Sequence, residues 1–193
     1  PIAQAKAAGA QLMLNLNASP FHLQKEKERE NLLRKRAREG GMPILYANLV
    51  GGQDELVFDG GSAVVDANGD LQFRAPAFES GLYPVAFQRH DGKLVTSPAT
   101  IAPDQTVVAS AYRALVLGVR DYVNKNGFKG AVLGLSGGID SALTLAVAVD
   151  ALGADRVEAV MMPFRYTSQM SLEDAKAEAD ILGVSYKIRP IEA

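Results

Sequence analysis

The pattern of hydrophobic and polar residues changes near residue 100, and its first part indicates mainly strands. Short apolar runs separated by turn residues predict strands at 11–17, 43–50, 55–58, 62–66, 70–78 and 83–88. Gly51-Gly52 is interpreted as a turn, and Asn68-Gly69 predicts a two-residue hairpin because both positions tolerate positive φ. One segment, 21–39, has charged residues with spaced apolar positions, which predicts a helix that ends at Gly40-Gly41.

Beyond residue 104, helical and strand patterns alternate. Apolar runs predict strands at 131–135, 157–162 and 185–189, and helices are predicted at 104–125, 141–152 and 171–183. The last helix starts with Ser171-Leu172-Glu173-Asp174, which is typical of a capping box. Strands and helices that alternate with short loops imply parallel strands with right-handed crossovers, so the fold class is α/β. The segment 91–103 contains Asp91-Gly92, Pro98 and Pro103, and we predict that it links two domains.

Composition narrows the class of protein. A net charge of −2 and a pI near 5.7 argue against general binding to nucleic acid or to a membrane surface. No apolar run reaches the roughly 18 residues that a membrane span needs. The chain has no cysteine, which excludes disulfides and a cysteine nucleophile within it. Residues 1–9 lack the features of a signal peptide, so we expect a soluble piece of a larger cytoplasmic protein.

The loop Ser136 to Asp140 follows a predicted strand and precedes a predicted helix, the place where ligands bind in open α/β sheets. Its two glycines allow close approach of the backbone, the helix offers unpaired N–H groups, and Ser136 and Ser141 add hydroxyl donors. This combination predicts an anion site for phosphate oxygens. Asp140 beside a polyphosphate indicates a divalent cation between them. The alternative is an ordinary tight turn in which Asp140 only caps the helix.

The loop is neither a Walker A motif nor a dinucleotide Gly-x-Gly-x-x-Gly. Its sequence, Ser-Gly-Gly-Ile-Asp-Ser, resembles the pyrophosphate loop of the N-type ATP pyrophosphatases. Residues 162–168 and 171–175 resemble the second conserved segment of NAD synthetases, although Phe164 and Gln169 depart from the usual residues there. Residues 9–21, with Lys25, Arg29 and Arg36, resemble the C-terminal part of a nitrilase-like glutaminase domain. Together these segments resemble the glutamine-dependent NAD synthetases.

The resemblance implies the C-terminal part of a nitrilase-like α-β-β-α domain at 1–90, a linker at 91–103, and the start of a doubly wound parallel-sheet ATP-pyrophosphatase domain at 104–193. The implied activity is ATP-dependent amidation of deamido-NAD through an adenylated intermediate, with ammonia from glutamine and release of AMP and pyrophosphate. The implied cofactors are ATP and Mg²⁺, and a homo-oligomer is expected. The family's catalytic Glu–Lys–Cys set is expected upstream of Pro1, so no catalytic residue is assigned in this chain.

By the same resemblance, Ser19 and Lys25 contact glutamine, Asp140 holds the metal, and adenine lies near Met161 and Met162. The residues assigned to the nucleotide are Gly134, Leu135, Ser136, Gly137, Gly138, Ile139, Asp140, Ser141 and Arg165. Lys25 as a solvated lysine and Arg165 as a surface ion-pair partner remain open alternatives. A GMP-synthetase-like amidating ligase and a non-enzymatic scaffold are the alternative functions.

Overall fold

The structure, a computed structural model, describes residues 1–97 and 99–191. Contacts between Cα atoms divide the chain into two units, which are described separately below. The first contains Pro1–Gly51 and Leu56–Ala114, and the second contains Gly52–Glu55 and Leu115–Ala193. No helix of the described residues is long and apolar enough to cross a membrane.

Two helices and most of the short strands belong to the first unit. The elements up to residue 97 are α1 (Ile2–Ala7), β1 (Met13–Asn17), α2 (Lys25–Gly40), β2 (Ile44–Asn48), β3 (Val50–Gln53), β4 (Leu56–Asp59), β5 (Ala63–Val65), β6 (Leu71–Arg74), β7 (Phe87–His90) and β8 (Lys93–Thr96). A four-stranded sheet has the order β1-β2-β5-β6, in which β1 and β2 are parallel and the other pairs are antiparallel. The pairs β3-β4 and β7-β8 form separate two-stranded sheets.

Helix α2 packs against this sheet through one narrow stripe. Leu33 and Ala37 lie four residues apart, so they share one face of the helix, and both are buried. They pack with Ile44, Tyr46 and Val65 in one core cluster. Most of the remaining residues of α2 are charged, and all of these except Arg29 are at least partly exposed, which explains why the segment is helical although its mean hydropathy is low.

The second unit is the α/β part that the sequence predicts. Helix α3 (Val107–Lys125) begins in the first unit, and it is followed by β9 (Ala131–Gly134), α4 (Ile139–Leu152), a short 3₁₀ turn (Ala154–Arg156), β10 (Val157–Met161), α5 (Gln169–Leu182) and β11 (Ser185–Ile188). The sheet has the order β11-β10-β9, and both pairs are parallel. The α/β class and the parallel strands are therefore confirmed.

Two local predictions in the first half are wrong. Gly51-Gly52 lies within β3, and the turn falls at Asp54, whose φ is +50°. β5 and β6 do form an antiparallel hairpin, but five residues connect them and only Gly69 has positive φ. Asp66 organises that connection, because its Oδ1 accepts the N–H groups of Asn68 and Asp70, each at 2.9 Å.

The two-residue hairpin with two positive φ values occurs instead within the predicted linker. Asp91 and Gly92 have φ of +47° and +75°, and they join β7 to β8, with His90 opposite Lys93. Residues 91–103 thus contain a strand, and they include Ile101, which bridges to Arg74 of β6. Pro98 lies outside the described residues. The signal at Asn68-Gly69 was outweighed by the Asp66 side chain, which favours a longer turn.

The capping box at Ser171 is also wrong. Helix α5 begins two residues earlier, and Ser168 is its N-cap, with extended backbone and an Oγ that accepts the Ser171 N–H at 3.1 Å. Ser171 lies in the first turn, and its hydroxyl is 2.9 Å from that of Ser168. The first turn of α5 is therefore fixed by two serines.

Candidate functional site

The loop between β9 and α4 lies at the carboxyl end of the parallel sheet. Leu135 continues β9 by donating its N–H to the Val160 carbonyl at 3.0 Å, and its side chain is 1% exposed. Gly138 then serves as the N-cap of α4 with extended backbone. The structure thus brings all residues from Gly134 to Ser141 into one tight turn at the place where the sequence predicts a nucleotide site.

The two serines of the loop hold it closed. Ser141 Oγ donates to the Gly138 carbonyl at 2.8 Å and accepts the Ser136 N–H at 3.2 Å. The hydroxyl oxygens of Ser136 and Ser141 are 3.0 Å apart, and Ser136 Oγ also accepts the Gly138 N–H at 3.3 Å. Because the Ser141 proton points to Gly138, the Ser136 hydroxyl is the donor to Ser141. Both hydroxyl protons are therefore used inside the loop, whereas the sequence suggested that they face a ligand.

Gly137 brings the loop directly against the first turn of α5. Its φ is +76°, and a Cβ at this position would lie 2.3 Å from the Ser171 carbonyl oxygen and 2.8 Å from Ser171 Cα. Contacts shorter than about 3 Å do not occur for a real Cβ, so only glycine fits here without movement of the helix. The position of the loop therefore depends on the capped first turn of α5.

Backbone N–H groups remain for a ligand. Within the part of the chain that the structure describes, the N–H groups of Gly137, Ile139 and Asp140 have no hydrogen-bond partner. They lie at the N-terminal end of the 14-residue helix α4, where the helix dipole is positive. This arrangement is suited to a polyphosphate, which has many oxygen acceptors and negative charge.

Asp140 lies exposed in the first turn of α4. Among the described residues there is no group of three histidine, cysteine, aspartate or glutamate side chains that could hold a metal ion. A single carboxylate fits a Mg²⁺ ion that enters with a polyphosphate, because such ions keep several waters and bind one or two carboxylates plus phosphate oxygens. The donor set does not fit a metal held by protein ligands alone.

A cavity of about 230 Å³ opens beside the loop, between the ends of β9 and β10. It is lined by Gly134, Leu135, Ser136, Met161, Met162 and Thr167. Met161 is buried, whereas Met162 is half exposed. The structure thus places the two methionines and the start of the loop around one apolar space.

Arg165 lies in the turn that follows β10. Thr167 closes this turn, because its Oγ1 accepts the Phe164 N–H at 2.9 Å and its own N–H donates to the Phe164 carbonyl at 2.8 Å. The guanidinium of Arg165 lies 5.0 Å from the ring centroid of Phe164, within reach of a cation–π interaction. Phe164 is one of the two residues that depart from the family pattern, and it provides this stacking surface.

In the first unit, Ser19 and Lys25 line one cavity of about 290 Å³. Asn15, Asn17, Glu28, Arg29, Leu32, Leu33 and Tyr46 complete its wall. Lys25 Nζ is paired with Glu28 Oε2 at 3.0 Å, and the lysine side chain is 32% exposed. Burial raises the pKa of the Tyr46 hydroxyl in the same wall. The structure thus brings together the two residues assigned to glutamine, with a cation and several amides around one space.

Side chains that the sequence analysis did not assign hold Ser19 in place. The Ser19 N–H donates to Asn48 Oδ1 at 2.8 Å, and the Ser19 carbonyl accepts from Asn48 Nδ2 at 3.3 Å and from Arg29 Nη1 at 3.2 Å. Arg29 is also paired with Asp59, and both side chains are buried. Arg29 belonged to the recognised segment, but Asn48 and Asp59 lie 29 and 40 residues from Ser19 in the sequence and had no local signal.

Comparisons with known proteins also divide the chain into two segments. A family model described as carbon-nitrogen hydrolase matches residues 2–96, and one described as NAD synthase matches residues 111–193. Glutamine-dependent NAD(+) synthetases of Acinetobacter baylyi and Xylella fastidiosa are 44% and 46% identical, over 98% and 100% of this chain and 35% of each relative. The structure of glutamine-dependent NAD+ synthetase from Acinetobacter baumannii in complex with adenosine diphosphate has a TM-score of 0.94 at 46% identity, covering 99% of this chain and 36% of that chain.

The fold and the two matches together define a nitrilase-type segment joined to an NAD synthase segment. The chain spans about a third of the length of the relatives it matches, 35% in each case quoted. Over that span the similarity is continuous from the first segment into the second. Along its whole length the chain is similar to glutamine-dependent NAD(+) synthetases.

Proposed function

We propose that the protein amidates deamido-NAD to NAD with ATP, using ammonia released from glutamine. The carboxylate of deamido-NAD attacks the α-phosphate of ATP, pyrophosphate leaves, and ammonia displaces AMP from the adenylated intermediate. A carboxylate is a poor electrophile, and adenylation gives it a leaving group. The observation that supports this proposal most directly is the set of unpaired N–H groups on the loop before α4, in a chain that also carries a nitrilase-type segment.

In this proposal the backbone of the loop binds the ligand, and the side chains of the loop hold the backbone in place. The N–H groups of Gly137, Ile139 and Asp140 bind the pyrophosphate oxygens and stabilise the charge that develops as the group leaves. The hydroxyls of Ser136 and Ser141 keep these groups in place through bonds inside the loop. Gly134 and Leu135 form the wall beside the nucleotide, and the apolar cavity at Met161 and Met162 receives the adenine.

Asp140 is proposed to hold Mg²⁺ that enters with ATP, and Arg165 is proposed to contact the nucleotide phosphates. When bound, Mg²⁺ would neutralise charge on the departing pyrophosphate. The carboxylate of Asp140 is exposed beside the unpaired N–H groups, so it can share the ion with the phosphates without a costly desolvation. Arg165 lies in the same turn as Thr167, which lines the cavity.

In the first unit, Lys25 is proposed to bind the α-carboxylate of glutamine, with Ser19 beside it. We also propose that residues 1–90 and 104–193 belong to the glutaminase and synthetase domains, in agreement with the matches at 2–96 and 111–193. We further propose that the protein is a homo-oligomer located in the cytoplasm. The small-molecule substrates are then ATP, deamido-NAD, and glutamine or ammonia.

The test uses the full-length protein with ATP, Mg²⁺ and ammonia, and compares deamido-NAD with xanthosine monophosphate as the acceptor. Pyrophosphate release and NAD formation are measured. We expect activity with deamido-NAD only. Release of pyrophosphate with xanthosine monophosphate alone would instead support a GMP-synthetase-like ligase, and no release with either acceptor would contradict an amidating ligase.

Asp140→Asn tests the role of the loop carboxylate. We expect ammonia-dependent NAD synthesis to fall about a hundredfold, because an electrostatic contribution to the leaving group is lost, while glutamine hydrolysis is retained. Asp155→Asn is the matched control, since Asp155 is exposed in the 3₁₀ turn beyond the far end of α4, and α4 itself is about 20 Å long at 1.5 Å per residue. Equal rates in the two variants would refute the assignment of Asp140.

A further inference from the structure

The ion pair between Arg29 and Asp59 is buried, with side-chain exposures of 9% and 4%. Removing two charges from water is costly, and a well-packed apolar pair is often at least as stable. Asp59 Oδ1 has no hydrogen-bond partner among the described residues, so the pair is not even fully satisfied. A contribution to stability therefore does not explain why this ion pair is present. The other hydrogen bond of Arg29 suggests a different role.

That contact is the backbone of Ser19. Arg29 uses Nη2 for Asp59 and Nη1 for the Ser19 carbonyl, at 3.2 Å in the second case. Asn48 holds the same residue from a second direction, since its amide group bonds both the N–H and the carbonyl of Ser19. None of these bonds uses the Ser19 hydroxyl.

Arg29 and Asn48, which both bond Ser19, also bond residues at the end of β4. Asp59 is the last residue of β4, and Asn48 Nδ2 also donates to the carbonyl of the following residue, Gly60, at 2.9 Å. The segment around Ser19 is irregular, and the Phe21 N–H bonds the Val57 carbonyl of β4 at 2.7 Å, but the bonds to Ser19 itself come from Asn48 and Arg29. Two independent side chains thus fasten it to one fixed point in the first unit.

We propose that Arg29, Asp59 and Asn48 are positioning residues for glutamine, because they fix the backbone of Ser19 in the wall of the cavity it shares with Lys25. The inference rests on the proposed function, in which that cavity binds glutamine. A wall residue held in one position binds a small polar substrate more tightly than a mobile one, since less freedom is lost on binding. Loosening Ser19 therefore weakens glutamine binding without altering the chemistry of amidation.

The geometry requires arginine rather than a cation in general. The planar guanidinium donates in two directions at once, to Asp59 and to the Ser19 carbonyl. Lysine has a single charged nitrogen on a flexible stem, so it keeps the ion pair but does not serve both acceptors in the same way. Arg29→Lys thus separates the positioning role from the presence of a buried charge.

The experiment measures glutamine-dependent and ammonia-dependent NAD synthesis by the full-length protein. For Arg29→Lys we expect the KM for glutamine to rise about tenfold, below the hundredfold loss that a displacement of 1 Å causes in a reacting group. The ammonia-dependent rate and the KM for ATP stay at the wild-type values. Asn48→Asp provides a second variant, because it keeps an acceptor for the Ser19 N–H but loses the donor to the Ser19 carbonyl.

Glu30→Gln is the matched control. Glu30 is the neighbour of Arg29 on α2 and pairs with the buried Arg74 at 2.7 Å, but the structure shows no bond from it to Ser19. A raised KM for glutamine in Arg29→Lys and Asn48→Asp, with a normal KM in Glu30→Gln, supports the proposal. A KM within twofold of the control in both test variants overturns it. A wild-type protein with no glutamine-dependent synthesis overturns the proposed function, and the positioning role with it.

Discussion

Gly137→Ala tests whether the loop must touch the first turn of α5. The substitution has two costs. An alanine at φ +76° is strained by about 1–2 kcal/mol, because its Cβ approaches the carbonyl oxygen in the left-handed region. The same Cβ would lie 2.3 Å from the Ser171 carbonyl oxygen, about 1 Å inside an ordinary contact. Relief of that overlap by a backbone shift costs about 1–3 kcal/mol more.

The free energy of unfolding should therefore fall by about 2–5 kcal/mol in Gly137→Ala. Gly127→Ala is the matched control, because Gly127 has nearly the same φ, +71°, and no atom within 4 Å of a Cβ at that position. It should lose only the strain of about 1–2 kcal/mol. The difference between the two variants isolates the contact with Ser171.

Activity gives the second measurement. A displacement of the loop by about 1 Å should lower the rate of ammonia-dependent NAD synthesis about a hundredfold in Gly137→Ala. Gly127→Ala should synthesise NAD at the wild-type rate. Urea unfolding followed by circular dichroism, together with pyrophosphate release, measures both effects in the full-length protein. Equal stability and equal rates in the two variants would refute the argument that close approach to Ser171 positions the loop.

Two further predictions concern single side chains. Ser141→Ala removes the hydrogen bond to the Gly138 carbonyl and should raise the KM for ATP about tenfold, as expected for one lost hydrogen bond of about 1.4 kcal/mol. Ser141→Thr keeps the hydroxyl and should restore most of the affinity for ATP. A normal KM in the alanine variant would contradict the role of this bond. Burial, reinforced by nearby carboxylates, raises the pKa of Glu26 above 4.5, so its contribution to stability is present below pH 4.5 and is lost as the pH rises through the raised pKa. Glu26→Gln should therefore raise the urea midpoint relative to wild type more at pH 7 than at pH 4, and a difference that is the same at both pH values would show that Glu26 is not desolvated.

The second unit was predictable from sequence because its signals are local and mutually consistent. Short apolar runs such as Ala131–Gly134 indicate the strands, and short loops separate them from helices of ordinary length. The pyrophosphate loop is a contiguous motif, so its position at the end of β9 followed directly. The start of α5 was misplaced because Ser168 and Ser171 are both acceptable caps, and the choice depends on the backbone before the helix.

The first half of the chain was harder to predict because its strands are short and a glycine in one of them serves a tertiary contact. Gly52 was taken for part of a turn, but it lies within β3, where a Cβ would meet Gly118 Cα at 3.2 Å and Asp121 Cβ at 3.1 Å. That requirement comes from residues more than sixty positions away in the sequence. The same holds for the support of Ser19, where Asn48 and Asp59 act only because the fold brings them near.

Strand β1 has a practical consequence for handling the protein. In the described part of the chain it pairs with β2 alone, at the end of the sheet order, and it exposes Leu14 and Leu16 by 63% and 82%. An uncovered strand edge flanked by large apolar side chains is a template for pairing with another molecule. Residues 1–193 expressed by themselves are therefore prone to aggregate through this edge, and a partner strand laid along it would protect them.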